Sequence, residues 1–274
     1  MNRYQAKLEN NFSSTLFVMS KLLTLTLCCL FLLSCDPTPR LIGITYTFEP
    51  YPDSVVSIDP VTAVTEDIGS TGFNYLNSLA QDNRRGEFYA VSDVPSDSRL
   101  IRIDPTTWVG TDVGQLTILP HMIQLSRIRG LAYNEYNERL LAIQHIQPTE
   151  LGSDDGDTSL YHVNKYNGQA GYIGKTGFSS IQSIAFAYSE GAKLYGWDIH
   201  EGLVTIDVNT GLATDVNPLV PGTTAIQGIA FTPDGRLFGA QYELFSINVA
   251  TGEYTLIGRT GRNVRGLVYV TDLP

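Results

Sequence analysis

The chain has 274 residues, and its 28 acidic against 18 basic side chains give a formal net charge of −10. A surface this acidic repels phosphate backbones and anionic headgroups, so we expect no nucleic-acid partner. The three cysteines, Cys28, Cys29 and Cys35, all lie in the first 35 residues, which excludes disulfides, thiol nucleophiles and cysteine metal sites from the rest.

The first predicted element is a short apolar segment near the N-terminus. Leu22–Leu33 is almost wholly apolar, with Lys21 before it and Ser34 after it. It is shorter than the ~20 residues that a membrane-spanning helix needs, and this order of regions is typical of a secretory signal. We therefore predict a signal peptide over 1–34, with Met19 as the hypothetical true start. The alternative is an uncleaved apolar helix.

The end of this segment, Leu32-Leu33-Ser34-Cys35, resembles the lipobox of bacterial lipoproteins. The resemblance implies that Cys35 is lipidated and becomes the first mature residue. Residues 35–40 would then form a lipid-anchored linker. The protein would be an extracytoplasmic, membrane-anchored lipoprotein of the periplasm or outer membrane, contacting the membrane through the lipid alone.

Residues 226–258 form the clearest structural unit of the mature chain. Short runs rich in β-branched and aromatic residues alternate with the turns Pro233-Asp234-Gly235 and Ala250-Thr251-Gly252. Such runs bounded by Gly, Pro, Asn and Asp indicate strands joined by tight turns. We predict four strands, over 227–232, 236–241, 244–248 and 253–257.

This unit recurs along the chain. An apolar-x-Ile/Val-Asp/Asn pattern for the third strand appears five times, at 56–59, 101–104, 161–164, 204–207 and 245–248. The first-strand pattern also appears five times, at 76–80, 128–132, 181–185, 226–230 and 264–268. Repeats of 40–50 residues with four strands each predict propeller blades.

The two ends of the repeat array are complementary. Leu41–Thr45 matches a second strand without a first one, whereas Val264–Val270 is a spare first strand. Pairing them would close the ring and hide the edges of an open array. We therefore predict an all-β, five-bladed β-propeller over 41–274, with four strands per blade. The Gly or Ser at the third position of each first strand should let these strands crowd around the axis.

The repeat pattern as a whole resembles secreted bacterial β-propellers of the broad YVTN-like and quinoprotein-like repeat group. It combines Leu-Tyr/Phe-x-Ile-Asp-x-x-Thr-Gly with Ile-x-Gly-Ile-Ala-Phe-x-Pro-Asp-Gly. The resemblance covers nearly all of 41–270. It implies the fold and leaves function open, because the group includes binding proteins, scaffolds and enzymes.

Candidate site residues fall on the face of the ring that carries the longer loops, where binding residues concentrate. A polar residue follows the first apolar residue of every first strand, near the mouth of the axial channel. Two cationic members could hold a carboxylate, a phosphate or a sulfated sugar. The alternative, which we favour from sequence alone, is hydrogen bonding to neighbouring blades and channel water. The ring comprises Asn77, Arg129, Gln182, Gln227 and Arg265.

A second candidate set follows the second strands on the same face. Aromatic rings beside amides, carboxylates and imidazoles suit a saccharide or another small molecule. The alternative is that Trp197 and Tyr242 pack between blades. The set comprises Asp93, Gln144, His145, Trp197, Asp198, His200, Gln241 and Tyr242.

The acidic loop 152–157 is the candidate metal site. Asp154, Asp155 and Asp157 offer the hard oxygen ligands that Ca²⁺ prefers, although their spacing does not match an EF-hand. The alternative is a solvated acidic loop. We expect no other cofactor.

These patterns favour a monomeric, lipid-anchored module that binds an envelope protein, a saccharide or a small molecule. No catalytic residue is predicted, since neither Gly-x-Ser-x-Gly nor His-Glu-x-x-His occurs. The alternative is a glycan or ester hydrolase on the same face, with Asp93 and Asp198 as an acid/base pair and Ca²⁺ as a candidate aid.

Overall fold

The computed structural model describes residues 40–47, 51–94, 97–145 and 157–271. In this part of the chain, the strands form five sheets, confirming the predicted five-bladed all-β propeller. The predicted signal peptide and Cys35 lie outside the described residues. Arg40, assigned above to the linker, is the first residue of β1.

Each blade is a four-stranded antiparallel sheet, numbered here from the axis outward. Blade 1 is β22 (Val264–Val270), β1 (Arg40–Thr45), β2 (Ser54–Ile58) and β3 (Thr65–Ser70). Blade 2 is β4 (Leu76–Asp82), β5 (Glu87–Val94), β6 (Asp97–Ile103) and β7 (Gly110–Gln115). Blade 3 has β10 (Ile128–Asn134), β11 (Arg139–His145), β12 (Thr158–Val163) and β13 (Gln169–Lys175). Blade 4 is β14 (Ile181–Ala187), β15 (Lys193–Asp198), β16 (Gly202–Ile206) and β17 (Ala213–Asp215), with a 3₁₀ turn at Tyr188–Glu190. Blade 5 is β18 (Gly228–Phe231), β19 (Leu237–Ala240), β20 (Glu243–Ile247) and β21 (Tyr254–Arg259).

Ring closure occurs in blade 1, as predicted. β22 pairs antiparallel with β1, so that Arg40 lies opposite Val270 and Gly43 opposite Leu267. The last inner strand thus completes the sheet begun by the first described strand. This pairing satisfies the backbone groups that would otherwise be exposed on the inner edge of β1.

The small residues of the inner strands lie where neighbouring strands touch. A Cβ on Gly130 would approach the backbone nitrogen of Ile184 to 2.9 Å, and one on Gly228 would lie 3.1 Å from the carbonyl carbon of Gly266. The first of these distances is shorter than a Cβ normally tolerates. The sequence prediction that Gly or Ser permits crowding at the axis is therefore confirmed at these positions.

The core lies between blades. Buried residues form five clusters, each drawn from two neighbouring blades. Between blades 1 and 2, for example, Phe88 and Trp108 pack with ring centroids 5.4 Å apart beside Ile42 and Ile101. Full burial of such side chains stabilises by about 1.5–3 kcal/mol each, which holds the flat sheets face to face.

One segment differs from its predicted loop. Between blades 2 and 3 the chain forms β8 (Thr117–Ile118) and β9 (Ile123–Gln124). β8 pairs in parallel with β13, with Thr117 opposite Gln169, so blade 3 gains two short outer strands. The added strand covers part of the outer edge of β13, where unpaired backbone groups would otherwise face solvent. Among the described residues, no helix is long and apolar enough to cross a bilayer.

Candidate functional site

The five predicted ring residues lie at the beginning of the inner strands, on the loop-rich face. The inner strands neighbour one another in the circular order β22, β4, β10, β14 and β18. Asn77 on β4 therefore lies between Arg265 on β22 and Arg129 on β10. The ring thus places both cationic residues on one side of the channel mouth, with the two glutamines on the other.

Arg265 is half-buried at this mouth. Its Nη1 donates to Gln227 Oε1 at 3.3 Å and its Nε donates to Asn263 Oδ1 at 3.3 Å. The guanidinium also lies over the ring of Tyr46, 4.7 Å from the centroid. Burial lowers the pKa of Arg265, and the positive charge of Arg129 lowers it further. The two guanidiniums are therefore close enough to repel each other.

Arg129 has fewer contacts than Arg265. Its Nη1 lies 3.8 Å from Asp93 Oδ2, which is an ion pair without hydrogen-bond geometry. Its Nε is buried and has no hydrogen-bond partner among the described residues. Since a buried charged donor without a partner is costly, Arg129 keeps a donor that an additional acceptor could satisfy.

Asp93 positions this region rather than opening it. Its carboxylate accepts the Ser98 hydroxyl at 2.6 Å and the Arg127 backbone N–H at 2.8 Å, and Asn77 Nδ2 lies 3.4 Å away. The hydrogen bond to Arg127 links blade 2 to the start of β10. Asp93 thereby holds Arg129 at the mouth while using its own oxygens within the protein.

Asp53 does the same for the start of β4, and the sequence analysis did not identify it. It is fully buried; its Oδ2 accepts the Leu76 N–H at 2.6 Å, and its Oδ1 accepts the Thr47 N–H at 2.6 Å. Burial raises the pKa of Asp53, and these hydrogen bonds and Arg265 only partly oppose the rise. Asp53 is therefore a second buried acidic group close to the arginine pair.

The predicted glutamines mainly bond to neighbouring loops. Gln182 is buried and donates to Ser180 O at 3.3 Å, and Gln144 donates to Ser126 O at 3.0 Å. Gln227 is different because, besides donating to Thr224 O, it accepts from Arg265. Gln241 also joins the Arg265 cluster, since its Nε2 donates to Asn263 Oδ1 at 3.2 Å.

The predicted aromatic row is not one surface. Trp197 is fully buried, donates from Nε1 to Thr223 O, and packs edge-on against Tyr254 at 5.5 Å. This matches the blade-packing interpretation and not a role in contacting ligand. Tyr242 and His200 are exposed, and His145 is half-buried.

Asp198 is also buried and bonded to backbone. Its Oδ2 accepts the Ser180 N–H at 2.9 Å, while Oδ1 accepts the N–H groups of His200 and Glu201 at 2.8 and 3.1 Å. All of these bonds hold the β15–β16 turn in place. The carboxylate therefore acts in the structure as a loop brace.

The structure thus groups the predicted residues into two connected sets around the arginines. One joins Asn77, Asp93 and Arg129, and the other joins Gln227, Gln241 and Arg265. Asn263 and Tyr46 complete the second set and were missed by the sequence analysis. Asn263 lies only two residues before Arg265, but sequence gave no reason to expect its amide to bond two members of the ring.

A repeated Thr-Gly dipeptide shapes the same face. Thr71, Thr176 and Thr260 each follow the outermost strand of a blade and are buried. Thr176 Oγ1, for example, lies 3.1 Å from Thr158 O and accepts the Phe178 N–H at 3.1 Å, while Gly177 takes a φ of +79°. These turns fix where each chain segment enters the mouth, and the dipeptide was visible in the sequence.

The candidate calcium loop lies largely outside the described residues, which include neither Asp154 nor Asp155. Asp157 is described and lies 3.7 Å from Lys175 Nζ. In the described part of the chain, no three His, Cys, Asp or Glu side chains form a group that could hold a metal ion.

No protein-family model matches the chain, and no curated protein matches it. Solved structures do resemble it. A chain of a nidogen/laminin complex has 8% identity, with 85% of this chain and 86% of that one covered and a TM-score of 0.54. A protein of unknown function from Bacteroides thetaiotaomicron has 11% identity and a TM-score of 0.52 over 79% of this chain and 58% of that one. The periplasmic gluconolactonase of Pseudomonas aeruginosa has 11% identity and a TM-score of 0.46, covering 80% of this chain and 66% of that one.

This chain therefore spans less than two thirds of the Bacteroides protein to which it is similar. Identities this low indicate a shared architecture and nothing about ligand or reaction. The similarity is that of the β-propeller fold.

Proposed function

We propose that this protein is a lipid-anchored, extracytoplasmic binding module whose loop-rich face binds an anionic group between Arg129 and Arg265. The anion would be a carboxylate, a phosphate or a sulfate carried by a saccharide, a small molecule or an envelope protein. The observation that carries this proposal is the unpartnered Nε of Arg129 beside a second, half-buried guanidinium.

An anion at this position would satisfy two unfavourable features at once. It would accept a hydrogen bond from Arg129 Nε and would reduce the repulsion between the two guanidiniums. Hydrogen bonds to charged groups contribute about 1.5–3 kcal/mol each. Loss of one arginine should therefore weaken binding by about 10- to 100-fold, at 1.4 kcal/mol per tenfold.

The rigid mouth also favours binding. Asp93, Asp53 and the Thr-Gly turns attach the loops to the starts of the inner strands by buried hydrogen bonds. Side chains held in this way lose little conformational entropy when a ligand binds. A ligand would thus meet donors that are already in place.

The hydrolase alternative has less support. Asp93 and Asp198, the carboxylates that would act as acid and base, both spend their oxygens on hydrogen bonds within the loops. A general acid or base must reach the proton that it transfers. A turnover assay on the same glycans and on lactone and ester substrates tests this alternative directly.

The binding proposal is tested with a glycan array containing uronic-acid, phosphorylated and sulfated sugars, followed by calorimetry on the best binder. We expect saturable binding that EDTA does not change and that weakens with salt. Arg129→Gln and Arg265→Gln should each weaken it by about tenfold or more. Arg259→Gln, at an arginine whose side chain is 86% exposed on β21, is the matched control and should leave the affinity within about twofold. Equal affinities for Arg265→Gln and Arg259→Gln would contradict the proposal.

Anchoring is tested separately. We expect the wild-type chain to fractionate with membranes and to incorporate labelled fatty acid. Cys35→Ser should release it, because a polypeptide without acyl chains loses that apolar attachment. Membrane association of the Cys35→Ser protein would contradict lipid anchoring without affecting the anion-binding proposal.

A further inference from the structure

A second cavity lies on the axis at the opposite end from the polar ring, where the tight hairpins join the first and second strands. Its volume is about 320 Å³, and all five inner strands contribute to its wall. We call it the hairpin-face well. Each strand presents a large aliphatic residue just after its Gly or Ser, namely Leu79, Leu131, Ile184, Ile229 and Leu267.

The wall of the well is apolar and carries no charge. Alanines line it next to the large aliphatic residues, and aromatic side chains such as Phe186 and Tyr269 lie towards its opening. Its polar contributions come from amide and hydroxyl side chains such as Gln81 and Thr232, and no Asp, Glu, Lys, Arg or His is among its lining residues. The well thus differs in chemistry from the arginine-bearing mouth.

The two ends of the axis are separated by the crowded level of the inner strands. At Gly130 and Gly228 the backbones of neighbouring strands come into contact, as described above. None of the five ring residues lines the well. A ligand in the well would therefore not touch Arg129 or Arg265.

The size of the well sets the size of its occupant. An apolar cavity of about 150 Å³ binds benzene, so twice that volume accommodates two linked rings or an aliphatic chain of about ten carbons. Ligand sites start at about 300 Å³ and are mostly apolar with a few polar groups that orient the ligand. The hairpin-face well has both properties.

We propose that the hairpin-face well is a binding site for a small, uncharged molecule with an apolar body and one hydrogen-bonding end. The apolar body lies against the aliphatic level of the inner strands. The polar end lies at the opening, within reach of the amide and hydroxyl groups there. Anionic molecules are disfavoured, because the wall offers no cation to compensate for the lost hydration of a charge.

The test uses the neutral two-ring fluorophore N-phenyl-1-naphthylamine with the folded propeller. We expect blue-shifted, saturable fluorescence at one probe per chain, with a Kd of about 10–100 µM. Decanol should displace the probe, and an excess of the anionic glycans bound at the other face should not.

Two variants obstruct the well in different ways. Ala185→Phe fills it from a half-buried wall position, and Ser189→Trp covers its opening from an exposed position whose substitution does not disturb the core. Each should weaken probe binding by about tenfold or more, whereas Arg265→Gln should leave it within about twofold. Circular dichroism and thermal melts confirm folding, and Ser189→Trp decides the outcome if Ala185→Phe does not fold. Non-saturable binding, or full affinity in Ser189→Trp, would overturn the proposal.

Discussion

Lys165 offers the sharpest test of how neighbouring blades are held together. It lies in the turn between β12 and β13, is buried, and bonds through Nζ to the fully buried carboxylate of Asp82 at the end of β4. Nζ also lies 3.4 Å from Tyr133 Oη and 4.8 Å from the centroid of that ring. One side chain thus joins blades 2 and 3 through a salt bridge, a hydrogen bond and a cation–π contact.

Replacing Lys165 by Met keeps most of the aliphatic volume but leaves the Asp82 carboxylate without its buried cation. Breaking a buried pair costs about 3–5 kcal/mol. Arg85, whose Nη1 lies 3.2 Å from Asp82 Oδ2, retains part of the compensation. We therefore expect a loss of about 3 kcal/mol, which for a domain of this size lowers the Tm by about 6–12 °C.

The pH dependence follows from the pKa of Asp82. Burial alone would raise this pKa, but the hydrogen bonds from Lys165 and Arg85 and the charge of Lys165 outweigh it and hold the pKa below its ordinary value. A lowered pKa means stability that is present above the unfolded pKa and lost as the pH falls through the folded one. The difference between wild type and Lys165→Met should therefore shrink below pH ~4.

The assay is urea unfolding followed by tryptophan fluorescence, with thermal melts from pH 3 to 8. The double variant Lys165→Met/Asp82→Leu serves as the control, because removing both charges leaves no unpaired ion and should recover most of the lost stability. A loss below about 1 kcal/mol, or a double variant less stable than Lys165→Met, would show that the pair does not join the blades as argued.

Three further substitutions probe the axis and the turns. Gly266→Val places side-chain atoms against the backbone of β4, so we expect a loss of about 3 kcal/mol or more in urea unfolding, whereas Gly86→Asn, in open space at φ +64°, should cost little. Thr176→Val leaves a buried N–H and carbonyl without the hydroxyl that joins them and should cost about 1–3 kcal/mol, which Thr176→Ser should largely restore. Asp207→Ala should lower the Tm at pH 7, because backbone N–H groups of the turn lower the pKa of this exposed carboxyl, and the difference should vanish as the pH falls below ~4. An unchanged Tm gap at low pH would refute the role given to Asp207.

Much of the fold was predictable because each blade repeats one local pattern. Short strands, tight turns and a spare strand at one end sufficed to predict five blades and the pairing of Val264–Val270 with Leu41–Thr45, which β22 and β1 confirm. The addition of β8 to blade 3 was not predictable, since two residues carry almost no pattern and their partner lies about fifty residues away.

The candidate site was predictable in part. Equivalent positions in the repeats placed Asn77, Arg129 and Arg265 together at the mouth, because equivalent residues of a ring point to one axis. Trp197 looked like a ligand-binding residue, yet it is fully buried, since alternate strand residues face neighbouring blades and sequence does not say how closely those blades approach.

By itself, the sequence determined the repeat, the number of blades, the closure of the ring and the polar ring at one end of the axis, since these depend on local periodicity. Only the tertiary structure decided which polar side chains are satisfied, that Arg129 retains a free donor, and that an apolar well opens at the other end. Those properties depend on distances between strands of different blades, which are set by how the five sheets pack around a common axis and not by any one repeat.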